Sequence, residues 1–213
     1  MKSKWFLLAV CLLAWPWAIG CDATTTEGRN KPAATTTVEN EAAWSGPRRI
    51  LLIRHAEKPP PEAMSVHLTE EGKKRARALV KLFEQSADRP EPFAKPDFLF
   101  ATKNTVKSHR PNETIAELAK SLDLPVNDHI ENDSFNSLAV HLKSKAKYSG
   151  KTVLVCWHHG NMSALAKALG VSDPPKDWKS TSFDRVWEID YDNTGHATLK
   201  DLPQRLLPGD STK

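Results

Sequence analysis

Arg54-His55-Ala56-Glu57 and His158-His159-Gly160-Asn161 are two places where this chain sets basic and titratable side chains directly after an apolar run. Arg110 stands a short way beyond a third such run, Phe98-Leu99-Phe100-Ala101. A guanidinium group is a planar fork that can hold two phosphate oxygens at once. An imidazole, with an ordinary pKa of about 6.5, is mostly unprotonated at neutral pH and can act as a nucleophile. Brought together, these residue types make an anion site. The adjacent pair His158-His159 could also suggest a metal. Neighbours at a strand end point in different directions, however, and no Cys or carboxylate stands at ligand spacing, so metal ligation is not expected.

Strands and helices that would position these residues alternate along the chain. Arg49–Arg54 reads as a buried strand, and Thr69–Ser86 as a helix with Ala76, Leu79, Val80 and Phe83 inward, Thr69 as N-cap and Glu70 and Glu71 in the first turn. Pro96–Thr102 is a second strand. His109–Leu122 is a helix with Ile115, Leu118, Ala119 and Leu122 as its stripe, and Pro125–Ile130 is a short extended piece. A helix over Ser134–Tyr148 buries Phe135, Leu138, Ala139 and Leu142, with Asp133 placed to cap it. Lys151–Trp157 is the clearest central strand, and a further helix starts near Asn161 with Met162, Leu165, Ala166 and Leu169 inward. Ser182–Tyr191 and His196–Leu202 read as two strands joined at Asp192-Asn193-Thr194-Gly195.

Such alternation predicts an α/β fold: a three-layer α/β/α sandwich around a mainly parallel sheet, with a C-terminal β-hairpin. Ligands of these sheets bind beyond the carboxyl ends of the strands. Arg54, His55, Arg110, His158 and His159 all fall at that rim, where several helices also start. Glu57 is expected to shape its loop through hydrogen bonds. Lys58 with Pro59–Pro61 reads as a stiff exposed loop bordering the site, Lys103 and Lys107 as solvated residues able to attract anions, and Trp157, Trp178 and Trp187 as packing.

The ends of the chain say where the protein works. Lys2 and Lys4 precede the apolar stretch Trp5–Leu13, which is too short, and too soon broken by Pro16, for a spanning helix. Residues 1–20 are therefore expected to be a secretion signal. Ala18-Ile19-Gly20-Cys21 resembles the lipobox of bacterial lipoproteins, so Cys21 is the expected lipidation site and membrane anchor, each buried acyl CH₂ contributing about 0.8 kcal/mol. Asp22 resembles an inner-membrane retention signal. Residues 21–45, with two TTT runs and no apolar periodicity, read as a flexible tether, leaving 46–213 as the folded domain. The formal net charge of +4, evenly mixed with Asp and Glu, gives no argument for nucleic acid as a partner. Once Cys11 leaves with the signal and Cys21 is modified, Cys156 has no partner for an intrachain disulfide.

The ordered set LLIRHAEK, LTEEG, Arg110-Pro111-Asn112-Glu113-Thr114 and VLVCWHHGN resembles the histidine phosphatase superfamily, the phosphoglycerate-mutase-like fold, across about 46–202. The resemblance implies that His55 is the histidine that becomes phosphorylated, and that Arg54 and Arg110 grip the phosphoryl oxygens. It also implies that His159, directly before Gly160, is the second pocket histidine, ahead of His158. A proton for the leaving group would come from an acid beyond the second helix: Asp133 or Glu131, with Asp128 behind them. The implied chemistry is hydrolysis of phosphoesters or phosphohistidine through a phosphohistidine intermediate, without metal or organic cofactor, at the extracytoplasmic or periplasmic face of a bacterial membrane. The alternatives are a phosphoglycerate-mutase-type phosphotransferase, against which RHAEKPPP and the short acid-bearing segment count, and a non-catalytic phosphate-binding lipoprotein.

Overall fold

The computed structural model describes residues 44–213. The expected signal segment and Cys21 lie outside these residues, as does the tether except for its last two positions. Of those two, Trp44 stacks on Tyr191 with ring centroids 5.0 Å apart, and its backbone N–H donates to the Asn193 carbonyl at 2.9 Å. The packed unit thus takes in a residue ahead of Gly46.

The strands are β1 (Arg49–Arg54), β2 (Phe98–Thr102), β3 (Val126–Ile130), β4 (Thr152–Trp157), β5 (Arg185–Tyr191) and β6 (Ala197–Pro203). The helices are α1 (Glu70–Ala78), α2 (Arg110–Leu122), α3 (Phe135–Ser144) and α4 (Met162–Ala168). All six strands form one sheet in the order β3-β2-β4-β1-β5-β6. β1, β2, β3 and β4 pair in parallel, and β5 and β6 add an antiparallel hairpin beside β1. The hairpin turns where sequence places it: Asp192 Oδ1 accepts from the backbone N–H groups of Thr194 and His196, and Gly195 takes a left-handed φ of +83°.

Successive residues of a strand face opposite sides of its sheet. Ile50 and Leu52 of β1, with Val153, Val155 and Trp157 of β4, pack under α3 and α4. Leu51 and Ile53, with Leu154 and Cys156, pack under α2 and the segment that follows α1. Burial on both faces is why these strands read as unbroken apolar runs rather than alternating ones. Among the described residues no helix is long and apolar enough to cross a membrane.

Two helices are shorter than the periodicity suggests. α1 stops at Ala78 and continues as a 3₁₀ turn over Leu79–Phe83, and α3 stops at Ser144, followed by a 3₁₀ turn over Ala146–Tyr148. A 3₁₀ helix repeats every three residues, so Leu79 and Leu82 share the inner face, while Val80 is half-buried and still packs against this side of the core. Asp133 is not the cap of α3; that position is Ser134, and Asp133 lies in the preceding 3₁₀ turn Asn132–Ser134.

The Leu-Thr-x-x-Gly element fastens α1 beneath the loop that leaves β1. Thr69 N–H donates to the Glu57 carbonyl at 3.0 Å, and Thr69 Oγ1 accepts from Gly72 N at 3.1 Å as the N-cap. A side chain at Gly72 would place its Cβ 2.5 Å from the Glu57 carbonyl oxygen, so the glycine is needed for close approach of two backbones. Gly72→Ala should destabilise the domain by about 1–3 kcal/mol in urea unfolding, because the obstructing atom is main chain; an unchanged midpoint would show that the loop shifts freely.

Candidate active site

β1 and β4 end side by side, His55 N–H donating to the Trp157 carbonyl at 3.1 Å. This pairing brings the segments after the two strands together over a cleft of about 430 Å³, whose walls include His55, Arg110, Asp133, His158, His159 and Lys103.

His55 is 2% exposed. Its Nδ1 lies 2.7 Å from the carbonyl oxygen of Ala56. A carbonyl oxygen only accepts, so Nδ1 carries the ring proton and Nε2 keeps its lone pair. Burial pushes the imidazole pKa down to about 2; the Ala56 hydrogen bond opposes this, while Arg54, His158 and Arg110 add to it. His55 is therefore neutral at any ordinary pH, which is the form a nucleophile needs.

Arg54 does not reach the cleft as an open side chain. It is 1% exposed, and its Nη1 donates to the carbonyls of Ser180 at 2.7 Å and Ser182 at 3.0 Å. Its guanidinium carbon sits 3.9 Å from the Phe183 ring centroid. Nε and Nη2 are buried with no partner. These two nitrogens form one edge of the guanidinium fork, the edge suited to two oxygens of one oxyanion. Burial holds the Arg54 pKa down to about 10, with Glu57 opposing and Arg110 assisting.

Arg110 opens α2. Its Nη1 donates to the Ser65 carbonyl at 2.9 Å, and its Nε is buried without a partner. Burial lowers its pKa, against the attraction of Glu113. Thr114, one turn on, ties this arginine to the first strand: its Oγ1 donates to the Arg110 carbonyl at 2.7 Å and accepts from Ala56 N at 2.9 Å. That dual bond gives the Arg-x-x-x-Thr spacing a physical reason, since one hydroxyl locks the start of α2 to the backbone beside His55.

Sequence puts His159 ahead of His158 as the second pocket histidine. The structure sets the His158 ring edge-on to His55, with centroids 5.3 Å apart. His158 is also pushed down to about 4, by burial first and then by Arg110, His159 and Arg54, against Asp133. His159, first residue of the 3₁₀ turn His159–Asn161, lines the cleft too, its pKa lowered by burial, Arg54 and Lys58. The side chain in contact with His55 is thus the one that sequence ranks second.

Of the acidic candidates only Asp133 lines the cleft; its Oδ1 accepts from Asn161 Nδ2 at 3.0 Å and Asn132 Nδ2 at 3.0 Å. Glu131 points to solvent and pairs with Lys103 at 3.4 Å, and Asp128 faces His129 at 3.8 Å. Lys58, Lys103 and Lys107 edge the same opening. Trp157 and Trp178 pack in the core, as sequence suggests, each spending its indole N–H on a backbone carbonyl.

One network has no signal in the sequence. Arg75, which stands in the basic run KKRAR, is buried: it donates to Glu57 Oε1 at 2.8 Å and grips Asp210 with two nitrogens, at 2.9 and 2.8 Å. Asp210 in turn accepts from the N–H groups of Leu206 and Leu207. The C-terminal segment is thereby linked, through Arg75, to the residue two places after His55.

No family model matches the sequence, and no curated protein matches it. Solved structures do. The fold is the phosphoglycerate-mutase-like fold. One similar structure is the protein histidine phosphatase SixA complexed with tungstate, at 14% identity and TM-score 0.52, the match covering 73% of this chain and 97% of that one. Another is phosphoglycerate mutase from Plasmodium falciparum, at 17% identity and TM-score 0.50, covering 78% of this chain and 96% of that one.

The two inner histidines make stability depend on pH. In the unfolded chain each takes a proton near 6.5; folded, His158 does so near 4 and His55 near 2. The unfolded state binds more protons over that interval, so their contribution is full above about pH 6.5 and lost as pH falls. Each should add up to about 1.4 kcal/mol per pH unit to the slope of unfolding free energy between about pH 6 and 4. His158→Gln should remove one such share; an unchanged slope would mean that the ring is not held neutral.

Proposed function

We propose that the chain is a phosphatase that transfers a phosphoryl group to His55 and then to water. The observation that carries this reading is the tautomer of His55: Nδ1–H is bonded to the Ala56 carbonyl, leaving Nε2 as a lone pair beside the cleft. Phosphoryl transfer asks the protein mainly for positioning and for neutralisation of oxygen charge. The free Nε–Nη2 edge of Arg54, the Nε of Arg110 and the His158 ring are the groups available for it.

In the first step His55 Nε2 bonds to phosphorus as the ester oxygen leaves, and Asp133 gives that oxygen its proton. In the second, water attacks the phosphohistidine and Asp133 takes its proton back, releasing inorganic phosphate and neutral His55. Phosphoesters and phosphohistidine both fit this scheme. The lysines at the mouth favour anionic substrates. The reading extends to place: export under the signal, and lipid anchoring through Cys21 at the extracytoplasmic face of a bacterial membrane.

The full chain should hydrolyse an aryl phosphate with a chelator present, and His55→Ala should lose activity by at least about 10³-fold. Asp133→Asn should slow poor leaving groups by about 10²–10⁴-fold and spare aryl phosphates. Phosphate binding without turnover in the parent would favour a binding protein instead. For the anchor, Cys21→Ala should move the protein from the membrane to the soluble fraction; retention in the membrane would rule out attachment through that cysteine.

A further inference from the structure

Outside the cleft, His67, His109 and Glu113 bring one nitrogen from each ring and one carboxylate oxygen within 4.8 Å of one another. None of the three lines the cleft, and the reaction above uses none of them. His109 directly precedes α2 and Glu113 lies four residues on, so both project from the same side of its first turn. His67 comes from the loop before α1. That loop is pinned by its backbone: His109 N–H donates to the Val66 carbonyl at 3.0 Å, Arg110 Nη1 to the Ser65 carbonyl at 2.9 Å, and Leu68 N–H to Glu113 Oε2 at 2.9 Å. These bonds fix the main chain that carries His67 against the start of α2.

The Leu68 bond also orients the carboxylate, as outer partners do around metal ligands, leaving Oε1 against His67 Nδ1. The two rings meet edge to face at 5.3 Å between centroids. A hydrogen bond between His67 and Glu113 accounts for two members of the cluster and not for His109. Two imidazoles and a carboxylate, with a fourth position open to solvent, are a zinc donor set. Bonds of about 2.0–2.1 Å in a tetrahedron space the ligand atoms roughly 3.4 Å apart. The His67 side chain, 57% exposed, has room to exchange its bond to Glu113 for one to the ion and so close the difference.

We propose that His67, His109 and Glu113 form a zinc site that staples the loop before α1 to the first turn of α2. Because Ser65 of that loop holds the Arg110 guanidinium, the ion would fix one wall of the cleft without touching the reacting atoms.

Zinc titrated into the full chain against a chromogenic chelator tests this. The expected result is one zinc per chain, with affinity reduced at least about tenfold in His109→Ala and in His67→Gln, and unchanged in His158→Gln. Circular dichroism of the variants separates ligand loss from misfolding, and His67 is exposed enough that its replacement should leave the fold intact. Failure of the parent to compete for zinc would overturn the proposal. So would equal binding by the parent and both cluster variants, or a loss confined to His158→Gln, which would place the ion at the adjacent histidine pair instead.

Discussion

The end of β1 carries an arginine and a histidine into a region that water scarcely reaches, and no carboxylate touches either. Arg54 and His55 are 1% and 2% exposed. A buried cation without a counter-charge is unfavourable by several kcal/mol unless hydrogen bonds replace its solvent. Arg54 recovers part of this from the Ser180 and Ser182 carbonyls and from the Phe183 face. His55 answers the same constraint differently, by staying neutral. The remaining deficit, two bare nitrogens on Arg54 and one on Arg110, is what an oxyanion would relieve. Under the proposed function, affinity for phosphate and the cost of building the site are two views of the same desolvated charge.

Holding such a site together falls to elements that are not catalytic. Thr114 joins β1 to α2, Gly72 lets α1 lie against the Glu57 backbone, and Arg75 ties Glu57 to the C-terminal segment. Each bond starts within two residues of His55. These restraints come from three separate parts of the chain. Thr114 and Gly72, both parts of the sequence motifs, act as joints.

Much of the architecture was legible beforehand. The strands at 49–54 and 152–157 and the helix at 110–122 announce themselves through length and apolar pattern, and Thr69 through its capping chemistry. Helix ends were less legible: the 3₁₀ continuation after Ala78 differs from α-helix by less than about one residue per repeat, too little for periodicity to resolve, and α3 breaks at the extended Lys145 before a separate 3₁₀ turn. Arg75 was illegible for another reason. Its neighbours are Lys73, Lys74 and Arg77, all solvent-facing, and only its contacts with Glu57 and with a carboxylate 135 positions away mark it as interior.

The sequence by itself determined which strands form the sheet and that basic residues gather at their carboxyl ends, because unbroken apolar runs and the alternation of strand with helix are local features of the chain. It could not decide between His158 and His159, between Asp133 and Glu131, or whether Arg54 stands open or buried. Those choices depend on directions: neighbouring residues leaving a strand diverge, and a side chain's role follows from which one faces the partner. Only the pairing of β1 with β4 and the course of the 179–183 loop set these directions, placing the His158 ring against His55 and closing three carbonyls over Arg54.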